Sequence, residues 1–361
     1  MNRVKNIFAL AALLMFCGLQ GSIIYELQEL KVCDNEAKQQ EEAGKLDEAF
    51  TTYVNAISDT PIVYEVRFVE NIKDLEEKHE KNKLDALPNV TQWDGEDLKD
   101  KTIYVYSQMG IGDSIQFVRF LYSLSSLGAK KIVFKTSKHL IPLFKNSGFE
   151  KVVFLSGEVD KKEKLDFQVS LLALPSRLKI KKTDDVPHKD KYLSATKEKV
   201  ESYKKKFFDN DYTKVGIVWR GAPGHINDKN RSVPLSLFYD LAKIKNVKLY
   251  SLQKGCGEEQ LADATKDIEI VDIGNTFNDF SDTAAAIENC DYIISVDTAV
   301  AHLGGALGKP TWILIPFVSD WRWFLKGETS YWYDSVKLFR QEAVGNWIDV
   351  FKKVTVDLQL V

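Results

Sequence analysis

IISVDTAVAHLGGALGKP, residues Ile293–Pro310, is the stretch from which the fold can be predicted. An apolar run, Tyr292–Val296, ends abruptly at Asp297-Thr298, and small residues lead to Gly308-Lys309-Pro310 and a second apolar run, Thr311–Ile315. This order predicts a strand, a tight turn, a short helix and a second strand. Unpaired N–H groups and the dipole at the start of such a helix favour an anion, typically a phosphate. We therefore expect an α/β domain that binds a phosphorylated ligand beyond the carboxyl end of a strand.

Length and composition indicate a globular protein of two domains, or of two domains and an appendage. The chain has 361 residues, a net charge of −3, 28% charged residues and 44% hydrophobic residues. The net charge argues against a nucleic acid partner, because such partners need a basic face. The cysteines lack the close pairing of a zinc site or a disulfide framework, and no His, Asp or Glu grouping suggests a metal centre. We expect no metal and no other cofactor.

The first 25 residues differ from the rest of the chain. Arg3 and Lys5 precede an uncharged run, Ile7–Ile24, whose length just reaches that of a membrane span. A signal anchor, a cleaved signal peptide and a buried or interfacial helix all fit this run. We favour a hydrophobic leader or anchor over residues 1–25, which predicts membrane association on a side that the sequence leaves open. A cytoplasmic location is the alternative.

Residues 26–90 have a helical composition, with many Glu and Lys residues and no strand pattern. One tetratricopeptide-like unit lies within them, since small residues, an aromatic residue and a terminating proline follow its spacing: Ala37, Gly44, Ala49, Tyr53, Ala56 and Pro61. A single unit cannot bury its own apolar face, so it must pack on its neighbours. We predict a helical hairpin here, and docking of a protein partner is a further possibility.

Strands and helices alternate twice after a linker at Asp85–Lys101. The first alternation gives a lobe over residues 91–205, and the second gives a lobe over residues 206–361 that ends in a closing helix, Asn346–Leu358. Alternation of this kind predicts parallel sheets built from right-handed βαβ units. The fold class is therefore α/β, with two Rossmann-like lobes.

A glycine-rich turn follows the first strand of the first lobe, at Gln108–Asp113. Gly110 and Gly112 permit a tight turn, and Asp113 lies at the start of the next helix, Ser114–Leu127. Its carboxylate is a candidate general base that takes a proton from a hydroxyl group. The alternative is a helix N-cap, for which aspartate is a favoured residue.

Cationic side chains follow the first two strands of the second lobe. Arg220, Lys229 and Arg231 lie in one long loop, and Lys254 ends the next strand. Positive charges beside a helix-terminal anion site could neutralise a diphosphate. The alternative is a solvated loop that binds nothing.

The turn after Val296 supplies the remaining candidates. Asp297 could accept a hydrogen bond from a sugar hydroxyl or cap the helix, Thr298 could donate to a phosphate, and His302 shares the helical face of Thr298. Gly304 belongs to the small residues that permit a close approach of ligand and helix. Trp321 and Trp323 either wall a pocket or belong to the core.

These segments together resemble a known family. QWDGEDLKDKTIYVYSQMGIGDSIQFVRF, VGIVWRGAPGHINDKNRSVPL, LYSLQKG, ISVDTAVAHLGGALGKPTWILIPFVSDWRWF and SVKLFRQ occur in this order. They resemble the glycosyltransferase domain of bacterial tetratricopeptide-containing glycosyltransferases, which is similar to the heptosyltransferases of glycosyltransferase family 9. The resemblance covers about residues 90–345 and implies a GT-B fold, in which two lobes face each other across a cleft.

The resemblance also implies an activity and roles for individual residues. A nucleotide-sugar donor would bind mainly the second lobe, and a glycan or protein acceptor mainly the first. Asp113 matches the family's catalytic base, Asp297 and Thr298 match its donor-site pair, and Arg231 falls where a cation is expected near the donor phosphates. The family implies inversion at the anomeric carbon without a bound metal, and a closing helix that crosses back to the first lobe. A non-catalytic scaffold with the same fold is the alternative.

Overall fold

The computed structural model describes residues 85–107, 110–225, 227–264, 268–324 and 326–361. The predicted leader and nearly all of the tetratricopeptide-like region lie outside these residues, and residues 85–90 form turns. The prediction of membrane association is corrected: across the part of the chain that the structure describes, no helix is both long and apolar enough to cross a membrane. Residues 1–25, on which that prediction relied, are not among those described.

The first lobe contains a parallel sheet with the strand order β1-β5-β2-β3-β4. Its strands are β1 (Thr91–Gln92), β2 (Thr102–Tyr106), β3 (Lys131–Lys135), β4 (Val152–Leu155) and β5 (Phe167–Ser170). The predicted linker at 85–101 is part of this lobe, because β1 pairs with β5 and both Trp93 and Leu98 are buried.

The second lobe contains a parallel sheet with the strand order β11-β10-β9-β6-β7-β8. Its strands are β6 (Thr213–Val218), β7 (Val247–Ser251), β8 (Ile270–Asp272), β9 (Tyr292–Val296), β10 (Thr311–Ile315) and β11 (Val336–Arg340). β9 and β10 coincide with the two apolar runs of the opening stretch, and they pair in parallel. Both sheets confirm the predicted α/β fold class.

Helices connect these strands. They are α1 (Ile111–Phe117), α2 (Phe120–Ser126), α3 (Ile141–Lys145), α4 (Leu174–Arg177), α5 (Lys197–Tyr203), α6 (Asp228–Arg231), α7 (Tyr239–Ala242), α8 (Phe280–Glu288), α9 (Ala299–Ala306) and α10 (Trp347–Gln359). The single helix predicted at 114–127 is thus two helices, α1 and α2. Between them the Arg119 guanidinium turns back and donates to the Gln116 carbonyl oxygen, at 2.8 Å.

Gly308 ends α9 as the sequence predicts. Its φ of 69° is in the left-handed region, where glycine is favoured. The N–H groups of Gly308 and Lys309 donate to the carbonyl oxygens of Gly305 and Gly304, each at 3.0 Å. This pattern satisfies the last carbonyls of the helix and sends the chain directly into β10.

The closing helix α10 packs on the second lobe. Five of its side chains belong to the apolar core of the second sheet, and they are Trp347, Val350, Phe351, Val354 and Leu358. Phe351 meets Phe238 edge to face, with ring centroids 4.8 Å apart. The helix occurs where it was predicted, but the predicted return to the first lobe is wrong, because its apolar stripe is already covered.

Candidate active site

A cavity of about 670 Å³ lies between the two lobes, at the carboxyl ends of strands from both sheets. The first lobe contributes the turn Gly110–Asp113 and His139. The second lobe contributes the ends of β6, β7 and β9, the loop after β6, and the first residues of α8 and α9. Carboxyl ends of parallel strands are where open α/β sheets bind ligands, and the volume suits a small organic molecule.

The lobes touch beside this cavity, where α1 meets α9. Gly112 faces the imidazole of His302, and a Cβ atom at position 112 would lie 3.0 Å from His302 Cδ2. A larger residue at this position would therefore press against the ring, which would have to shift by a few tenths of an ångström. The predicted glycine turn therefore has a structural role between the lobes, in addition to lining the cavity.

Asp113 lies at the third position of α1 and borders the cavity. Its Oδ2 accepts from the Gly110 N–H at 3.1 Å, and its Oδ1 accepts from Nη2 of Arg322. Gly110, not Asp113, is the N-cap residue. The carboxylate thus satisfies one N–H at the helix start and faces the second lobe with the other oxygen.

Arg322 is a cavity residue that the sequence analysis missed. It lies in a short 3₁₀ turn, Trp321–Trp323, after β10. Besides Asp113, its guanidinium donates to Gln116 Oε1 at 2.6 Å and to Asp320 Oδ1 at 2.9 Å. The sequence does place an arginine two residues after an aspartate, beyond the end of a strand. The sequence analysis considered only the two tryptophans on either side of this arginine.

Asp297 lines the cavity directly after β9, and its side chain is 15% exposed. Burial and the nearby carboxylate of Asp320 raise the pKa of this carboxyl to about 6, although Trp323 and the guanidinium groups of Arg322 and Arg231 act in the opposite direction. The carboxyl of Asp297 therefore titrates much closer to neutrality than an ordinary aspartate.

His302 lines the cavity but is held by its own lobe. It is 5% exposed, its Nδ1 lies 2.9 Å from the Tyr333 hydroxyl, and its ring stacks on Trp323 with centroids 5.3 Å apart. Burial, followed by the charges of Arg322, Arg119 and Arg231, lowers the pKa of His302 well below its usual value. The ring is therefore neutral at pH 7, and Trp323 belongs to the core.

The predicted cations divide into those that the structure brings to the cavity and one that it does not. Arg231 borders the cavity and donates from Nη1 to the Asp297 carbonyl oxygen at 2.7 Å. Arg220 and Lys254 also border it, and Lys254 Nζ donates to the Asn275 carbonyl oxygen at 3.2 Å. Lys229 is exposed and is not among the residues that line the cavity, so its role in donor binding stays a prediction.

Thr298 and Gly304, two further predicted residues, have different surroundings. Thr298 is the N-cap of α9 and lines the cavity, with its hydroxyl 3.1 Å from that of Ser295. Gly304 is buried in the second turn of α9 and faces the side chain of Thr311 on β10. Its small size serves helix–sheet packing, and it is not among the residues that line the cavity. Gln108 lies outside the described residues.

The far end of the cavity is built from residues that the sequence analysis did not propose. Asn278, Asp279 and Phe280 line it at the start of α8, next to His139 of the first lobe. The Phe280 N–H donates to the His139 carbonyl oxygen at 3.0 Å. This main-chain bond is a further connection between the lobes. Because it involves only backbone atoms, the pattern of side chains in the sequence does not predict it.

Within the described ranges of the chain, no group of three or more His, Cys, Asp or Glu side chains is arranged to hold a metal ion. Activity without a metal or another cofactor stays a prediction.

Comparison with known proteins adds one sequence relative. No family model matches the chain. Protein FlbA of Caulobacter vibrioides is 24% identical over 299 residues, which are 76% of this chain and 48% of FlbA. The chain thus spans about half the length of this relative.

Solved structures are similar to this chain in fold. A glycosyl transferase of family 9 from Veillonella parvula superposes with a TM-score of 0.56 at 12% identity, over 74% of this chain and 99% of that one. ADP-heptose lipopolysaccharide heptosyltransferase II of E. coli gives 0.53 at 12% identity, over 72% and 98%. The described part of the chain therefore has the two-lobed GT-B fold of these glycosyltransferases.

Proposed function

We propose that this chain is a glycosyltransferase that moves a sugar from a nucleotide-sugar donor to a hydroxyl group of a glycan or protein acceptor. One observation carries the proposal. The cavity between the lobes has a carboxylate, Asp113, on one wall and the start of α9 with several cations on the other. Similarity to family 9 transferases supports the same conclusion.

The diphosphate of the donor would bind the second-lobe wall. Thr298 and Ala299 bring the first N–H groups of α9 to the cavity, where unpaired donors and the helix dipole favour an anion. Arg231 lies against the same turn through its bond to the Asp297 carbonyl oxygen, and Arg220 and Lys254 add positive charge. We propose that these cations stabilise the departing nucleoside diphosphate without a metal ion.

Asp113 would act as the general base from the first-lobe wall. The acceptor oxygen attacks the anomeric carbon and its proton passes to the Asp113 carboxylate, while the bond from that carbon to the phosphate oxygen breaks. The electron pair leaves with the nucleoside diphosphate. A single displacement of this kind inverts the anomeric carbon, and the contact between the lobes limits the access of water to the donor.

Ligand-induced stabilisation of the purified chain tests the proposal. A panel of nucleoside diphosphates and their sugar conjugates is added, and thermal unfolding is followed for each. A true donor at a hundred times its dissociation constant should stabilise the fold by about 2.7 kcal/mol. The conjugate that stabilises is then assayed for sugar transfer and for hydrolysis. If no member of the panel stabilises the chain or is consumed, the transferase proposal fails and the scaffold alternative is favoured.

A further inference from the structure

Arg322 belongs to the second lobe, yet its guanidinium is bound to a helix of the first. It donates to Asp113 and to Gln116 Oε1, the latter at 2.6 Å. Asp113 and Gln116 are three residues apart, so they share one face of α1. One side chain therefore holds the candidate base and its neighbour on α1 across the boundary between the lobes.

The guanidinium is fixed from its own side as well. Asp320 accepts from Arg322 Nη1 at 2.9 Å and from the Arg322 backbone N–H at 3.1 Å. The guanidinium carbon of Arg322 lies 4.8 Å from the ring centroid of Trp321. The residue is 9% exposed. Each of the three nitrogens, Nε, Nη1 and Nη2, donates a hydrogen bond to a different side chain. Because the guanidinium is planar, these three bonds fix its orientation.

We propose that Arg322 is a positioning residue that aligns Asp113 only while the two lobes are in contact. The inference rests on the proposed function, in which Asp113 is the base. When the lobes separate, the bonds of Arg322 to α1 break and the Asp113 carboxylate keeps only its bond to Gly110 N–H. An open cleft thus holds a donor without an aligned base, so hydrolysis of the donor by water is suppressed until the cleft closes.

A kinetic double-mutant cycle tests this coupling. The variants are Arg322→Met, Arg322→Lys, Asp113→Asn and the combination of Arg322→Met with Asp113→Asn. Arg322→Met should lower kcat by about 10- to 100-fold, with the dissociation constant of the nucleoside diphosphate within about twofold of wild type. Arg322→Lys should not restore kcat, because an ammonium group lacks the planar fork. In the Asp113→Asn background, Arg322→Met should change kcat by less than about twofold.

Two results would overturn the inference. One is a loss of nucleoside diphosphate affinity with kcat unchanged, which would make Arg322 a donor cation. The other is an undiminished effect of Arg322→Met in the Asp113→Asn background, which a merely structural role would produce. Arg177→Met is the matched control, since Arg177 pairs with Asp94 inside the first lobe and neither residue lines the cavity. Its kcat should stay within about twofold of wild type.

Denaturant unfolding of the same variants separates this inference from the proposed function. The Asp113–Arg322 contact predicts a non-additive loss of stability in the double variant whether or not the chain transfers sugar. A wild-type chain that is inactive with every donor overturns the proposed function, even if the unfolding cycle is non-additive. Additive unfolding in an active enzyme overturns the role of Arg322 alone.

Discussion

A Cβ atom added to Gly112 would lie 3.0 Å from Cδ2 of His302, on the other side of the boundary between the lobes. The imidazole is held in place by its hydrogen bond with the Tyr333 hydroxyl and by stacking on the ring of Trp323. The two lobes are therefore in close contact beside the cavity. The absence of a side chain at position 112 permits this close approach.

Gly112→Ala should weaken this contact. Overpacking costs about 1–3 kcal/mol, and alanine recovers about 1 kcal/mol of helix propensity in α1. We expect a net loss of about 1 kcal/mol in the free energy of unfolding, together with slower sugar transfer. Urea unfolding measures the first effect. Gly157→Ala is the control, since an added Cβ meets no atom within 4 Å there. A Gly112→Ala variant more stable than wild type would contradict the close contact.

Arg231→Met should weaken binding of the nucleoside diphosphate. Arg231 is 9% exposed, borders the cavity and bonds to the turn before α9. A charged hydrogen bond contributes about 1.5–3 kcal/mol, which corresponds to a loss of affinity of roughly 10- to 100-fold. Titration calorimetry measures the dissociation constant directly.

Lys229→Met supplies the matched control, because Lys229 lies on the same short helix but is exposed and is not among the residues that line the cavity. Its affinity should equal that of wild type. If Lys229→Met weakens binding as much as Arg231→Met does, the assignment of these two residues is wrong.

The stability of the chain should depend on Asp297 between about pH 4 and pH 6. The pKa of this carboxyl is about 6 in the folded chain, whereas that of an unfolded aspartate is about 3.9. The folded state therefore binds the proton more tightly, so this group favours folding most below pH 4 and the benefit is lost as the pH rises through 6. At about 1.4 kcal/mol for each pKa unit, the loss amounts to roughly 3 kcal/mol.

Asp297→Asn should remove this part of the pH dependence. The difference in unfolding free energy between wild type and variant, measured from pH 3.5 to pH 7.5, isolates the contribution of Asp297 from those of the other carboxylates. The variant should gain stability relative to wild type as the pH rises. A difference that is flat across this range would show that the carboxyl titrates normally.

The sequence was a good guide wherever a local pattern fixes the structure. Apolar runs give β9 and β10, and Gly308 ends α9 because a left-handed residue is needed there. Arg231 and Asp297 could be placed near each other because carboxyl ends of parallel strands share one edge of a sheet. Asp113 follows a strand of the other sheet, and only the resemblance to a two-lobed family put it at the same cleft.

The remaining features depend on contacts between distant residues. Arg322 meets Asp113 across 209 positions of the chain, so no local spacing reveals that pair. Gly112 and Gly304 look alike in the sequence. Gly112 faces His302 of the opposite lobe, whereas Gly304 faces Thr311 within its own lobe. Lys229 and Arg231 are both cations of one loop, and of the two it is Arg231 that borders the cavity.

The rate of sugar transfer by Asp113→Asn tests the central claim most directly, using the donor that the stabilisation panel identifies. Asparagine keeps the shape of the side chain but is not a base. The account predicts that kcat falls by about 10²- to 10⁴-fold, while the dissociation constant of the nucleoside diphosphate stays at its wild-type value. Transfer at the wild-type rate by this variant would contradict the account.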